Sequence, residues 1–251
     1  MLKTAVIIPC RMAATRFPGK PLTPILGLPM IEHVYKRCVL AVGADSVWIA
    51  TCDSEIEEAA KKFHAPVIMT ANTHTRCTDR VAEAALKINA DIIVNVQGDE
   101  PVLNPQAIHD VLKPFKENKN CYASNLIQKI NPEIENPTNY NIVKVVFNNQ
   151  RNALYFSREP IPTQQRASEI PQYFKQLGVM AFSRSFLQIF SKLPQTPLEI
   201  LESVDMLRVL EHGYALQCVE TQFQALAIDV PQDIPPVEEA LKKDSYFKQY
   251  S

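Results

Sequence analysis

Apolar runs alternate with amphipathic segments along the first half of the chain. Four short runs rich in apolar and β-branched residues have little polar alternation, which is typical of strands buried on both faces: residues 4–9, 46–51, 66–70 and 91–96. The segments between them predict helices at residues 29–40, 53–63 and 78–88. Strands that alternate with helices predict an α/β protein with a parallel, doubly wound sheet.

The pattern changes after a helix predicted at residues 104–116. The next segments predict strands without full-length helices between them, at residues 121–128, 142–147, 153–157 and 174–182, so we expect a β-rich insertion at about residues 121–182. A single helix is then predicted after Thr196, with Pro197 in its first turn, Glu199 as the capping-box partner and Gly213 after its end. The chain finishes with a strand at 215–220, a short strand reaching Asp229, and a helix at 231–243.

Length, composition and charge narrow the possible functions. The chain has 251 residues, of which 46% are hydrophobic and 21% charged, which predicts one globular domain over residues 1–251. A formal net charge of −1 argues against a general nucleic-acid or membrane-surface binder. No segment approaches the roughly 18 apolar residues of a membrane span, and the first apolar run is too short for a signal peptide. The six cysteines have no metal-site spacing, so we expect reduced thiols and a cytoplasmic location.

Three cations lie close together just after the first predicted strand. Arg11, Arg16 and Lys20 follow it within the segment IIPCRMAATRFPGKPL, and Gly19 allows close backbone approach. Open α/β sheets bind ligands beyond the carboxyl ends of their strands, and a triphosphate would satisfy all three charges. The alternative is that they are solvated surface charges, because the spacing is not that of a Walker motif.

Two aspartates follow predicted strands that should end at the same edge of the sheet. Asp99 lies in the turn QGDEP, and Asp229 begins DVPQ. Carboxylates beside a triphosphate are what Mg²⁺ needs, because the ion completes its shell with phosphate oxygens and water. The alternatives are that Asp99 is a turn former and that Asp229 caps the following helix, with Gln232 reaching back.

Several motifs together resemble one enzyme family. IIPCRMAATRFPGKPL, VNVQGDEP, VKVV, ALYFSR, the PLE helix with LR, and AIDVPQD occur in the order found in the 3-deoxy-manno-octulosonate (Kdo) cytidylyltransferases, the CMP-Kdo synthetases. The resemblance implies a Rossmann-like nucleotidyltransferase sheet with a β-rich insertion that supplies a dimer interface and part of the sugar site. It implies attack of the sugar's anomeric hydroxyl on the α-phosphorus of CTP, with release of pyrophosphate, for lipopolysaccharide assembly. The implied partners are CTP, an eight-carbon acid sugar, Mg²⁺ and a second copy of the chain, with no nucleic acid and no membrane insertion.

The resemblance also assigns roles to residues that match the family motifs. Arg11, Arg16 and Lys20 would bind the CTP phosphates, and Asp99 and Asp229 would hold Mg²⁺. Nucleotide and sugar contacts would come from further positions: Thr78, Arg80, Gln97 and Arg158. Of these, Arg158 is a candidate for the sugar carboxylate, since a guanidinium binds a carboxylate through two hydrogen bonds. It could instead be a surface ion-pair partner.

Some positions depart from the family pattern. Arg76–Cys77 replaces the usual Ser-Gly, and Ala14 replaces a common Ser. In the expected sugar pocket Gln176 replaces a histidine, and Asp205–Met206 replaces Glu-Gln. These changes favour an altered sugar, 8-amino-3,8-dideoxy-manno-octulosonate, over ordinary Kdo, although compensated drift would also explain them. More distant alternatives are a sialic acid cytidylyltransferase and a non-catalytic nucleotide-binding protein.

Overall fold

The computed structural model describes residues 2–13, 17–166 and 171–251. Its strands are β1 Thr4–Pro9, β2 Pro24–Ile25, β3 Leu28–Pro29, β4 Val47–Thr51, β5 Val67–Met69, β6 Ile92–Val96, β7 Ala123–Lys129, β8 Lys144–Phe147, β9 Ala153–Ser157, β10 Phe174–Ser183 and β11 Gln217–Thr221. Its helices are α1 Met30–Val42, α2 Ser54–Lys62, α3 Cys77–Ala85, α4 Gln106–Val111, α5 Lys113–Glu117, α6 Arg184–Phe190, α7 Pro197–Glu202, α8 Met206–Glu211 and α9 Ile234–Lys243. Among these described segments, no helix is long and apolar enough to cross a membrane.

The chain divides into two units, and the first contains both termini. Unit 1 comprises Met1–His109 and Ala225–Ser251. Its main sheet has the order β6-β1-β4-β5 with every pair parallel. The chain runs outward from β1 to β4 and β5 and then returns to β6 on the other side of β1. This reversal is the topological switch point at which open α/β sheets bind ligands.

Most residues of the unit 1 strands are apolar, as expected for a sheet that is covered on both faces. Val6, Ile7 and Ile8 of β1 and Val94 of β6 are completely buried. This explains why the strands have continuous apolar runs instead of alternating polar positions. The prediction of a parallel α/β sheet is confirmed.

Unit 2 comprises Asp110–Gln224 and is mainly antiparallel. β10 pairs antiparallel with β7 and β8, β8 pairs antiparallel with β9, and β11 joins β7 in parallel. The register of β10 against β7 shifts between Gln176 and Met180, which is a bulge-like irregularity. The four strands predicted between residues 121 and 182 are therefore present. The assignment of residues 1–251 to a single domain stays a prediction.

Two predicted helices are each broken into two, and the predicted short strand reaching Asp229 is absent from the described residues. The helix predicted at 104–116 ends at Val111 and restarts at Lys113, because Pro114 lacks an N–H and its ring obstructs continuation of the preceding turn. The helix predicted after Thr196 breaks at Ser203, whose φ of 54° is left-handed. The capping contact is nevertheless present, since Thr196 N donates to Glu199 Oε2 over 3.4 Å.

The last residues of the chain are held on α1 by a chain of hydrogen bonds. His33 Nε2 donates to the Ile25 carbonyl over 2.8 Å, so Nδ1 is the acceptor and receives the Tyr250 hydroxyl proton over 3.2 Å. Arg37 Nε donates to the same hydroxyl over 3.1 Å, and Arg37 Nη2 donates to Asp244 over 2.7 Å. Burial lowers the pKa of His33, which favours the neutral ring that this arrangement needs.

Removal of the Tyr250 hydroxyl should destabilise the protein. Tyr250→Phe leaves a buried acceptor on His33 and a buried donor on Arg37, and we expect the free energy of unfolding to fall by about 2 kcal/mol. Urea denaturation measures this change. Tyr246→Phe is the matched control, because the Tyr246 hydroxyl has no hydrogen-bond partner among the described residues. Equal stabilities of the two variants would contradict the assigned hydrogen bonds.

Candidate active site

The loop after β1 is held by one hydrogen bond to a residue just beyond β4 and by one within the loop. Met12 N donates to Asp53 Oδ2 over 2.7 Å, and Gly19 N donates to the Met12 carbonyl over 3.1 Å. Gly19 has a φ of 74°, a left-handed conformation that glycine adopts without strain. Arg11 is exposed and has no hydrogen bond or ion pair with any described residue. Arg11 is therefore presented to solvent next to Met12, whose backbone N–H is held by Asp53.

Asp53 is a site residue that the sequence analysis missed. It lies two residues beyond the end of β4, at the same edge as the loop, and its position after a parallel strand was the signal available for it. Arg16 and Ala14, in contrast, lie outside the described residues.

The Lys20 ammonium group forms ion pairs with both aspartates that are predicted to hold a metal ion. Its Nζ donates to Asp99 Oδ2 over 2.9 Å and to the Ile228 carbonyl over 2.7 Å, and it lies 3.7 Å from Asp229 Oδ1. The three side chains are 14%, 29% and 32% exposed, so solvent weakens their attraction only partly. The predicted convergence of Lys20, Asp99 and Asp229 is therefore present in the structure.

Close backbone packing brings these groups together. A Cβ atom at Gly98 would lie 3.2 Å from the Pro9 carbonyl oxygen, so glycine lets the Asp99 turn approach the end of β1. Ile228 N also donates to the Asp99 carbonyl over 3.0 Å. Ile228 is buried in a core cluster with Ile25 and residues of α9, which anchors the neighbouring Asp229.

Asp233 provides the side chain that caps the turn before α9, a position for which the sequence suggested Gln232. Asp233 Oδ2 accepts hydrogen bonds from Asp229 N over 2.7 Å and from Val230 N over 3.0 Å. Asp233, and not Gln232, is therefore the residue that reaches back to this turn. The Asp229 carboxylate lies beside Lys20.

Thr78 and Arg80 lie in the first turn of α3, and both are buried. The Arg80 guanidinium donates to Thr70 Oγ1 over 2.5 Å, to the Ala71 carbonyl over 3.3 Å and to Cys52 Sγ over 3.4 Å. These bonds join α3 to the carboxyl ends of β4 and β5. Arg80 therefore has a structural role, and its contact with substrate stays a prediction.

Asn95 is the next-to-last residue of β6, and Gln97 directly follows the end of that strand. Gln97 is partly exposed and has no side-chain partner among the described residues. Asn95 is fully buried, and neither end of its amide has a hydrogen-bond partner within the described part of the chain. An unpaired buried amide lowers stability, so its presence calls for an explanation such as a role in function. The otherwise apolar strand gives no sequence signal for this residue.

In unit 2, Arg158 is engaged by backbone carbonyls around the end of α7. Its Nε donates to the Glu202 carbonyl over 2.6 Å, its Nη1 to Tyr140 over 2.9 Å and its Nη2 to Ser203 over 3.4 Å. The Glu202 carboxylate accepts from Arg158 N, and also from the Ser157 hydroxyl over 3.0 Å. A guanidinium has five N–H donors, so Arg158 retains capacity for a ligand.

The residues that depart from the family pattern are in different environments. Gln176 is partly exposed on β10, and its Nε2 donates to Asn125 Oδ1 over 2.6 Å. Asp205 is partly exposed and immediately precedes α8, whereas Met206 is fully buried in unit 2. Any effect of Met206 on a sugar must therefore operate through packing.

The geometry of unit 1 defines a class of protein. A parallel sheet with a loop of cationic residues and two carboxylates at its switch point is characteristic of nucleotide-binding α/β proteins. A family model described as Cytidylyltransferase matches residues 5–221. The chain belongs to this family and is therefore a nucleotidyltransferase.

Relatives of known function match over nearly their whole length. The chain is 39% identical to a 3-deoxy-manno-octulosonate cytidylyltransferase of Geobacter metallireducens, over 96% of this chain and 99% of the relative. It is 43% identical to the enzyme of the same description from Solibacter usitatus, over 94% and 93% of the two chains. It is also 38% identical to an 8-amino-3,8-dideoxy-manno-octulosonate cytidylyltransferase of Shewanella sediminis, over 97% and 100%.

A solved structure has a closely similar fold. CMP:2-keto-3-deoxy-manno-octonic acid synthetase complexed with CTP superposes with a TM-score of 0.88 at 36% identity, over 96% of this chain and 99% of that chain. A glucose-1-phosphate thymidylyltransferase described as putative, from Bacillus anthracis, shares the fold alone, with a TM-score of 0.67 at 16% identity. The similarity therefore covers both units.

Replacement of the Asn95 amide by an apolar side chain should raise the stability of the protein and lower its activity. Asn95→Val removes a buried donor and acceptor that have no partner, and we expect the free energy of unfolding to rise by about 1–2 kcal/mol. We expect kcat/KM to fall at least about tenfold, because a buried amide that is kept without partners at a cost in stability is typical of residues with a role in function. Thermal melts and pyrophosphate release measure the two effects. A less stable variant, or one with unchanged turnover, would contradict this role.

Proposed function

We propose that the enzyme transfers CMP from CTP to an eight-carbon 3-deoxy acid sugar of the octulosonate type and releases pyrophosphate. The observation that carries the proposal is the meeting of Lys20 with Asp99 and Asp229 at the switch point. Relatives described as acting on such sugars match this chain over nearly its full length. The biological role would be lipopolysaccharide assembly.

The residues of unit 1 would act by positioning the triphosphate and neutralising its charge. Phosphoryl transfer leaves little covalent work for a protein, so fixed cations near the phosphates are the main requirement. Arg11 would approach the phosphates from the exposed side of the loop, and Lys20 would approach from beside the carboxylates. Arg16 would add a third charge. Asp53 would hold the loop backbone through Met12.

The two aspartates suit a magnesium ion. Both offer carboxylate oxygens, the ligands that a hard cation prefers, and both lie within 3.7 Å of one ammonium nitrogen. Mg²⁺ commonly uses one or two protein carboxylates and takes its other ligands from phosphates and water. Asp99 and Asp229 would hold the ion. The ion would neutralise charge on the triphosphate when bound.

For the sugar, we propose 8-amino-3,8-dideoxy-manno-octulosonate, with ordinary Kdo as the alternative. The terminal amine of the former is cationic at neutral pH and donates three hydrogen bonds, so its pocket should offer oxygen acceptors. Gln176 and Asp205 have such oxygens and are partly exposed, and neither adds a positive charge. Arg158 would bind the sugar carboxylate through its remaining N–H groups. A sialic acid substrate or non-catalytic nucleotide binding is a more distant alternative.

We also propose that the enzyme is a cytoplasmic homodimer. Unit 2 exposes large apolar side chains, with Leu154 60%, Ile200 57% and Leu201 79% exposed, and a second copy would cover them. The six free thiols are typical of a reducing compartment. Sedimentation should detect a dimer at micromolar concentration, whereas a stable monomer would contradict the proposal.

Loss of either aspartate should impair catalysis severely. We expect Asp99→Asn and Asp229→Asn each to lower kcat/KM by at least about 100-fold, which is roughly 2.7 kcal/mol of transition-state stabilisation. Pyrophosphate release with varied Mg²⁺ is the measurement. Asp45→Asn is the control, since Asp45 is exposed just before β4, at the opposite end of that strand from the site. Near-normal turnover in both site variants would remove the metal assignment.

The two candidate sugars should be distinguished by their rates with CTP. We expect kcat/KM for the 8-amino sugar to exceed that for ordinary Kdo by at least about tenfold, because an ammonium makes more hydrogen bonds to oxygen acceptors than a hydroxyl does. Pyrophosphate release with each sugar at matched CTP concentration measures the ratio. Equal values, or a preference for the hydroxyl sugar, would overturn the assignment of the amine.

A further inference from the structure

Asn125 of β7 is fully buried opposite the bulge in β10. Its Nδ2 donates to the carbonyls of Leu177 and Val179 over 2.9 and 3.2 Å, and to the Leu126 carbonyl over 2.9 Å. The carbonyls of Leu177 and Val179 belong to the part of β10 where the ladder register shifts, so the Asn125 side chain satisfies backbone groups at the bulge.

The three carbonyls determine how the Asn125 amide is oriented. Three acceptor oxygens surround one end of the side chain, so that end must be the NH₂ group, and the opposite end must be the oxygen. Asn125 Oδ1 lies 2.6 Å from the Gln176 side-chain amide. An oxygen at that distance requires a donor, because two acceptors in contact repel each other.

The orientation of Gln176 follows from that of Asn125. Gln176 must direct its NH₂ group inward to Asn125, so its Oε1 is the end that has no partner among the described residues. Gln176 is partly exposed, so this oxygen is available to a ligand. Turning the amide over would bring its Oε1 against Asn125 Oδ1 and would direct an NH₂ group outward.

The outward group decides which sugar terminus is favoured. An outward oxygen accepts a hydrogen bond from an ammonium group, whereas an outward NH₂ group would face that ammonium as a second donor. A hydroxyl can donate or accept and so tolerates either orientation. The preference for an amine therefore depends on the orientation of Gln176 as well as on its presence.

We propose that Asn125 is a positioning residue that sets the preference for an amino sugar by holding Gln176 with its oxygen toward the substrate. This inference rests on the proposed function, in which Gln176 faces the sugar terminus. Asn125 would have this role in addition to its structural role at the bulge. A test must therefore measure a quantity that loss of the structural role alone would leave unchanged.

That measurement is the ratio of kcat/KM for the amino sugar to kcat/KM for ordinary Kdo. We expect Gln176→Met, which removes the amide but keeps the chain length, to lower the ratio about tenfold. Asn125→Ala should lower it by a similar factor. The double variant should be no lower than either single variant, because both changes remove the same interaction. Gln172→Met is the control, since the Gln172 amide donates to the Ile130 and Tyr173 carbonyls.

The outcomes separate this inference from the proposed function. If Asn125→Ala lowers both rates equally, Asn125 has only its structural role and the inference is overturned. If the wild-type enzyme shows no preference for the amine, the proposed sugar is wrong. In that case the inference about Asn125 still predicts that Asn125→Ala and Gln176→Met change the ratio of kcat/KM for the two sugars by the same factor. A ratio that stays unchanged in these variants overturns the inference.

A second measurement does not depend on the folding of Asn125→Ala. In the wild-type protein, one side-chain amide proton of Gln176 should exchange slowly, because it is bonded to Asn125. Loss of its resonance in Gln176→Met assigns it. The amino sugar should shift the Gln176 side-chain carbonyl carbon and leave that proton protected. Rapid exchange of both amide protons would overturn the inference.

Discussion

The contact of the Lys20 ammonium group with two carboxylates determines much of unit 1. Its partners Asp99 and Asp229 are 79 and 209 residues away in sequence, as their numbering shows. The loop after β1, the turn after β6 and the segment before α9 therefore meet at one nitrogen atom. Because the three side chains are partly buried, loss of one charge would leave another poorly solvated. The same contact assembles the groups that a triphosphate and a divalent cation require.

Buried polar groups hold the irregular segments of unit 2 in a similar way. Lys144 is fully buried, and its Nζ donates to the carbonyls of Asn139, Ile142 and Arg158. Burial lowers the pKa of this lysine, while Glu159 and Glu202 act in the opposite direction. Glu202 and Asn125 likewise satisfy backbone or hydroxyl groups where the ladder ends or shifts. The sheet provides a scaffold, and these few polar side chains determine the shape of its margins.

The two units differ in what their irregular segments offer to a ligand. In unit 1 the groups at the sheet edge are mainly charged, which suits phosphate and a divalent cation. In unit 2 the partly exposed groups include an amide oxygen, a carboxylate and a guanidinium that retains donors, which suits an acid sugar with a polar terminus. Under the proposed function, recognition of the nucleotide and selection of the sugar would therefore depend on different physical interactions.

The sequence alone determined the α/β class, most strands and the meeting of Lys20, Asp99 and Asp229. Continuous apolar runs identify buried parallel strands, and residues after such strands gather at one edge, as Lys20 and Asp99 do. Asp229 reaches that edge without the strand predicted before it, through the burial of Ile228 and its hydrogen bond to Asp99. Asp53 was missed although its position soon after a parallel strand was a signal for it, and Asn95 was missed because a buried amide without partners leaves no pattern in an apolar strand. The helix break at Ser203 was not predicted, because Ser203 adopts a left-handed backbone conformation that sequence reasoning expects of glycine. The orientation of Gln176 was decided only by the tertiary structure, since it depends on carbonyls that a distant strand brings around Asn125.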